Sequence, residues 1–364
     1  MAKRGPNNHI AEWFGHRVYP IVSDSPQALV DQRAQRCPFI SGVTGTAHEC
    51  TKASNSRGVC TISASSNGLR QDWLVCPFRA LDSTLLGDAA HRLFKPEPED
   101  RVHIVPVTVL ADSGRRTEFV ERVGRGEPTV VYFQNKLGGE ISVSATNRSP
   151  EMSFDATMVE LLPGEFGPRL GRYGIFEIQT MDFHGSYSHA VRNLVDAQRL
   201  HGTDFATAVT THPEWPADRI EGPNIANVFK RTFYQMMFKF QIGAHESSAG
   251  CVFAIPRAVW DSWQRHLGAP ELVPRGDGTW RLASASGLAD RPSAWLYVFD
   301  LDVSDAASPN RINLWRVIAT DAPSLSHYAL NVAPDAALAQ GGAVDKIATT
   351  IRARLLPYLP ELVN

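Results

Sequence analysis

The sequence lacks any surplus of positive charge. Its 36 Lys and Arg stand against 38 Asp and Glu, for a net charge of −2 and a pI near 6.6. No global basic field advertises a nucleic-acid partner, so any phosphate-binding surface must be a local cleft. No apolar run approaches the ~20 residues that a bilayer span needs, so no membrane partner is expected. Residues Met1 to Asn8 carry no apolar core of a signal peptide, which makes a cytoplasmic address the expectation. Repeats and low-complexity tracts are also missing. The remaining composition, 43% hydrophobic and 20% charged over 364 residues, belongs to an ordinary globular protein with ample core. That length suits a large α/β domain plus a smaller one.

Cysteine is sparse but unevenly placed. Of five, Cys37, Cys50, Cys60 and Cys76 fall in the first quarter, and Cys251 stands alone downstream. Disulfides are rare in the cytosol, so four clustered thiols favour a metal over a disulfide framework. The twelve, nine and fifteen residues between them are not the spacing of paired Cys-x-x-Cys knuckles. Four small buried core residues therefore stay open as the alternative. Cys37 and Cys76 each precede Pro-Phe, an echo that suits two similar turns delivering thiolates. Cys251, within Gly250–Ile255, reads as a buried strand residue.

Along the chain, Ser25-Pro26 opens a polar helix reaching Asp31 and Arg36. Lys95–Asp100 reads as a linker, which divides the chain into residues 1–94, a metal-binding recognition region, and 101–364, a catalytic domain. Strands are expected at Val102–Val109 and Thr129–Phe133 with a helix around Arg116–Val123 between them, the start of an α/β sheet. Amphipathic helices are expected at Ser188–Leu200, Pro256–Leu267 and Asp345–Leu356, and a strand at Trp295–Val303. Gly276–Gly278 predicts a hairpin turn, and residues 202–223 a long loop. Asn224–Phe240 has aromatics at helical spacing and no acidic residue from Ile225 through Gly243. It reads as a core helix with a cationic rim, in which Lys230, Arg231 and Lys239 make the best local phosphate-facing element.

The most informative stretch runs from Tyr173 to Tyr187. Ile175, Phe176 and Ile178 form an apolar run short enough for a buried strand. Glu177 and Gln179 then share a face, roughly 6.6 Å apart at about 3.3 Å per residue. A second carboxylate, Asp155, stands a hairpin's length upstream in Ser149–Asp155, and Glu140 sits at the Leu137–Glu140 turn. Proline then aspartate, followed by Glu-x-Gln, is a variant of the PD-(D/E)xK nuclease layout, with glutamine where lysine is usual. A strand with solvated polar ends produces the same pattern.

In combination the chain resembles the NotI-type rare-cutting type II restriction endonucleases. The resemblance rests on Phe14–Pro20, Ser56–Thr61, Asp72–Pro77, Lys136–Glu140, Ser153–Asp155, Glu177–Tyr187, Glu221–Asn224 and Phe229–Met236. It covers the chain up to Asp302 and thins beyond. It implies an α/β fold of the PD-(D/E)xK type, a mixed central β-sheet flanked by helices, with an N-terminal four-cysteine region. By the same resemblance Asp155, Glu177 and Gln179 form the catalytic centre, with Glu140 as a further acidic contributor and Mg²⁺ on Asp155 and Glu177. Cys37, Cys50, Cys60 and Cys76 would hold one structural iron, and thiolate geometry alone leaves zinc equally open. Duplex DNA is the implied substrate, cut on both strands at a GC-rich palindrome centred on GGCC, such as GCGGCCGC. The implied partners are a second copy of the chain and a cognate DNA methyltransferase in the host. Arg57, Arg79, Arg172, Lys230, Arg231, Gln235 and Lys239 are the candidate DNA contacts. Two other classes compete on residues alone. A thiolate-metal DNA-binding regulator has no use for the carboxylates, and a carboxylate-pair glycosidase has no use for the cationic helix.

Overall fold

A computed structural model describes residues 8–66, 68–81, 83–94, 101–225, 228–283, 292–302, 309–339 and 343–361. The expected linker Lys95–Asp100 lies outside them. The chain opens with β1 (His9–Trp13), β2 (His16–Arg17), α1 (Pro26–Arg33), α2 (Pro38–Thr44), β3 (Val59–Ser66) and β4 (Leu69–Leu74). These four strands form an antiparallel sheet in the order β2-β1-β3-β4. Ser25 caps α1, its Oγ accepting from the Ala28 N–H with a proline in the first turn. After a 3₁₀ turn at Pro77–Leu81 comes α3 (Asp88–Phe94).

The larger unit begins with β5 (His103–Pro106), α4 (Ser113–Gly124) and β6 (Thr129–Gln134). A small hairpin, β7 (Ser142–Val143) and β8 (Met152–Ser153), stands apart from the main sheet. Then follow β9 (Ala156–Leu162), β10 (Arg169–Ile178), α5 (Ser188–His201), α6 (Phe205–Thr211), α7 (Val228–Gly243), β11 (Ser248–Pro256) and α8 (Arg257–Leu267). The chain continues through β12 (Leu272–Pro274), β13 (Trp280–Leu282), β14 (Ala294–Leu301), β15 (Ile312–Thr320), α9 (Ala322–His327), α10 (Ala333–Leu338) and α11 (Ala343–Leu355). The nine-stranded sheet runs β12-β13-β15-β14-β11-β10-β9-β6-β5. It is mixed: β10, β11 and β14 are mutually parallel, whereas β9 runs antiparallel to both β10 and β6. The protein is thus α/β, with one large mixed sheet flanked by helices.

Central strands are buried on both faces, so they read as unbroken apolar runs. Ile175, Cys251 and Phe253 point into one core with Leu194 of α5, Met236 of α7 and Trp263 of α8. Their alternates Phe176, Val252 and Ala254 point into a second core with Leu93 of α3 and Phe78 of the 3₁₀ turn. Gly174 lets α3 lie close on β10, since a Cβ there would stand 2.8 Å from Leu93 Cδ1. Residues before α3 have no core of their own: Trp13, Val59 and Trp73 complete the first cluster, and Cys60 and Leu74 the second.

Two expectations need correction. Residues 202–223 are not one loop, because they hold α6 and two 3₁₀ turns, Gly202–Asp204 and Trp215–Ala217. Phe205 and Val209, four apart, are buried, and that contact outweighs the poor helix propensity of the surrounding threonines. The strand expected over Val102–Val109 stops at Pro106, and Val107–Ala111 is a 3₁₀ turn. The predicted hairpin at Gly276–Gly278 joins β12 to β13, and the predicted helices lie at α1, α4, α5, α7, α8 and α11.

Candidate active site

Pairing along β9 and β10 sets Phe176 opposite Ala156. One residue further on, at the ends of these two strands, Glu177 meets Asp155. The Asp155 N–H donates to Glu177 Oε1 at 3.1 Å, and the Ile178 N–H donates to Asp155 Oδ2 at 3.0 Å. Each carboxylate is therefore held by the other residue's strand, and neither position depends on a flexible loop. Gln179 follows two residues after Glu177; its own N–H donates to the Ala254 carbonyl at 2.9 Å, tying it to β11. Its Nε2 donates to the Thr180 carbonyl at 2.5 Å. Asp155, Glu177 and Gln179 line a common cleft of about 290 Å³ together with Gln235 and Lys239 of α7.

Lys239 is the unexpected member. Its Nζ lies 2.5 Å from Glu177 Oε2, and the two side chains are only 6% and 5% exposed. The approach depends on Gly243, one turn later on α7, where a Cβ would stand 2.8 Å from the Cβ of Cys251. The glycine lets the helix end rest on β11 and so lowers Lys239 onto β10. Lys239 is consequently a buried partner of the carboxylates, not part of an exposed cationic rim. No sequence signal distinguishes it from Lys230 on the same helix. Burial and the neighbouring Asp155 push the Glu177 carboxyl up to about 8, against the counteracting Lys239 charge. Two carboxylates crowded in this way, with an amide beside them, suit a hard divalent cation that takes oxygen ligands, as Mg²⁺ does.

Glu140 lies on the far side of Asp155. It is exposed, accepts from Asn135 Nδ2 at 3.2 Å, and lines a second cleft of about 360 Å³ that also touches Asp155. Lys52, Lys136 and Cys76 share that cleft. Glu140 and Asp155 thus line one opening, while Glu177 and Gln179 line the other with Asp155. The two lysines were not singled out as contacts, although Lys136 falls inside one of the motif stretches.

The four N-terminal thiols are neighbours. Cys76 and Cys50 act electrostatically on Cys37, Cys76 and Cys37 on Cys60, and Cys50 on Cys76. Burial raises all three buried thiols, Cys37 to about 12. The Pro-Phe echo has a structural counterpart. Cys37 precedes α2 and is approached by the backbone N–H groups of Phe39 and Ile40, while Cys76 precedes the 3₁₀ turn and is approached by those of Phe78 and Arg79. The Gly58 N–H donates to Cys50 Sγ at 3.4 Å. Such donors favour thiolate, so the chemistry of the set suits a soft metal ion. The side chains are nonetheless not gathered around a point: among the described residues no group of three or more Cys, His, Asp or Glu is arranged to hold a metal.

No protein-family model matches the chain, and no curated protein aligns with it significantly.

The candidate DNA contacts divide sharply. Arg79 is 1% exposed, donates through Nε to Glu12 Oε2 at 3.2 Å and through Nη2 to the Asn310 carbonyl, and so cannot present to a duplex. Asn310 in turn donates its N–H to Glu12 Oε1 at 2.6 Å, which makes the set a buried strut between β1 and the segment before β15. Lys230 and Arg231 are exposed on α7, and Arg231 pairs with Asp182 at 2.6 Å. Gln235 is exposed at the mouth of the carboxylate cleft. Arg172 is half-buried on β10. Arg57, half-buried, donates to Gln35 Oε1 at 2.9 Å and lines a cleft of about 450 Å³ opposite Arg192 of α5, a residue the sequence did not mark.

Proposed function

We propose that this chain is a type II restriction endonuclease of the NotI type with a PD-(D/E)xK core, which hydrolyses both strands of duplex DNA at a GC-rich palindrome in a Mg²⁺-dependent reaction. The observation that carries the reading is the mutual clasp of Asp155 and Glu177 at adjoining strand ends, with Gln179 in the same cleft. Three polar residues from two adjoining strand ends share one opening, and crowding the half-buried Asp155 against the buried Glu177 is costly unless cationic charge is bound there in use.

Phosphodiester hydrolysis needs an aligned water, relief of charge on the phosphate and help for the leaving 3′-oxygen. Asp155 and Glu177 would hold Mg²⁺, which when bound supplies Lewis-acid stabilisation and a more acidic water. Asp155 is fixed by its bond from Ile178, so a ligand oxygen stays in place as substrate enters. Gln179 can orient the attacking water through its amide but can neither accept its proton nor carry charge. Glu140, across Asp155, adds negative charge to the second cleft, where Lys52 and Lys136 offer phosphate contacts. A palindromic target calls for two copies of the chain, one per strand, and a host modification enzyme to protect its own DNA. Cys37, Cys50, Cys60 and Cys76 would hold a structural iron or zinc, which would fix the turns around Arg57 for recognition.

Digestion of unmethylated phage and plasmid DNA by the purified protein, with Mg²⁺ and with EDTA, tests the reading. Discrete Mg²⁺-dependent fragments whose ends share one GC-rich palindrome are expected. Tight binding without cutting would instead favour a thiolate-metal DNA-binding regulator.

A further inference from the structure

Gln179 leaves the carboxylate centre with two acidic groups and brings no charge of its own to set against them. Of the residues lining the cleft, Lys239 is the one cation. It comes from α7, some sixty residues after Glu177 in the chain. It is held there by construction. Gly243 seats the helix on β11, Phe154 lies under the ammonium at 5.8 Å, and Nζ reaches Glu177 Oε2 at 2.5 Å. Gln235 and Thr232, one and two turns earlier, continue the same face of the helix along the cleft wall. A buried lysine–carboxylate pair is poor value as structural glue, because desolvation offsets much of its attraction and a well-packed apolar pair does as well. Its position, beside both carboxylates and open to the same cleft, is where a phosphodiester's negative charge would have to enter.

We propose that Lys239 is the cationic member of the catalytic centre, delivered by helix α7 so that the strand position can be occupied by the neutral Gln179. The inference rests on the nuclease reading. It follows that charge, not the residue number that carries it, is what the centre requires: fixed positive charge aimed at developing negative charge is worth about a hundredfold or more in rate.

The test measures Mg²⁺-dependent plasmid cleavage, DNA binding in EDTA and thermal melting for the wild type, Lys239→Met, Lys239→Arg, and Lys239→Met combined with Gln179→Lys. Lys239→Met should lose about a hundredfold or more in cleavage rate while still binding DNA, with Lys239→Arg retaining part of the activity. The double variant, which returns the charge to the same cleft from β10, should recover at least about tenfold over Lys239→Met. An active Lys239→Met overturns the inference, and so does a double variant that melts like the wild type but cuts no better than Lys239→Met. A wild-type protein that cuts no DNA is a different result: it removes the nuclease reading, and this inference with it, before any variant is compared.

Discussion

The carboxylate centre and the thiol cluster are both largely buried sets of titratable side chains, yet their members are held in different ways. Two of the thiols, Cys37 and Cys76, are oriented by short-range geometry. Cys37 and Cys76 each start a helical turn at a Pro-Phe step, and the sulfurs are met by N–H groups two and three residues on. Neutral thiols tolerate burial, so the set carries no internal counter-charge apart from the nearby Lys52, whose Nζ donates to the Val59 and Val75 carbonyls. The carboxylates are brought together by long-range topology. Asp155 and Glu177 need β9 and β10 in register, and the cation against Glu177 comes from a helix some sixty residues later in the chain. Local turns can orient a neutral thiol without any counter-charge, whereas a carboxylate crowded against another has to be compensated by the fold itself.

Substitutions separate the two. The largest effect is expected at the strand ends. Asp155→Asn or Glu177→Gln should lower the cleavage rate by a factor of about a hundred or more and leave DNA binding in EDTA intact; single-turnover assays on a fluorescent duplex would show it, and an Asp155→Asn protein with full activity would remove Asp155 from the reaction. At the thiols, Cys60→Ser should strip the protein of iron or zinc by elemental analysis and weaken specific DNA binding, while the carboxylate cleft stays formed. A Cys60→Ser protein that is soluble and fully specific would show the cluster to be ordinary core.

Arg79→Met probes the buried strut between β1 and the segment before β15. Leaving Glu12 buried without its partner should cost about 3–5 kcal/mol of stability, read as a lower denaturation midpoint, with no selective loss of DNA affinity in the folded protein. Selective loss of affinity at unchanged stability would restore Arg79 as a DNA contact.

Acidity offers a gentler lever. The Glu177 carboxyl titrates near 8 in the folded protein and in the ordinary carboxylate range when unfolded. Between those values the folded state holds the extra proton, so its contribution to stability is complete below the unfolded pKa and is lost as pH rises through about 8. Melting in EDTA should therefore fall over that window, and the slope should flatten in Glu177→Gln. An identical slope in the two proteins would mean that Glu177 is not the group responsible. The smallest effect is expected on the exposed face of α7, where Lys230→Ala should reduce the salt slope of DNA binding by about one and leave cutting specificity unchanged.

Much of this arrangement was legible in the residues. An apolar run at Ile175–Ile178 with Glu177 and Gln179 in period two reads as a core strand with polar groups at one end, and β10 is that strand. Asp155 could be named because a hairpin partner places it opposite. Lys239 and Arg79 were not legible in role, since a lysine at a helix position and an arginine after a cysteine look the same whether they face solvent or a carboxylate. Only the packing of α7 on β11 and of β1 against the segment holding Asn310 decides that. The helix at Phe205–Thr211 was hidden for a related reason: its threonines argue against helix, and two buried contacts override them. The sequence by itself determined the local pieces, because side-chain period and turn chemistry act over a few residues. Which charges oppose one another was decided by tertiary structure, because that depends on strand register and on how closely a glycine lets a helix approach.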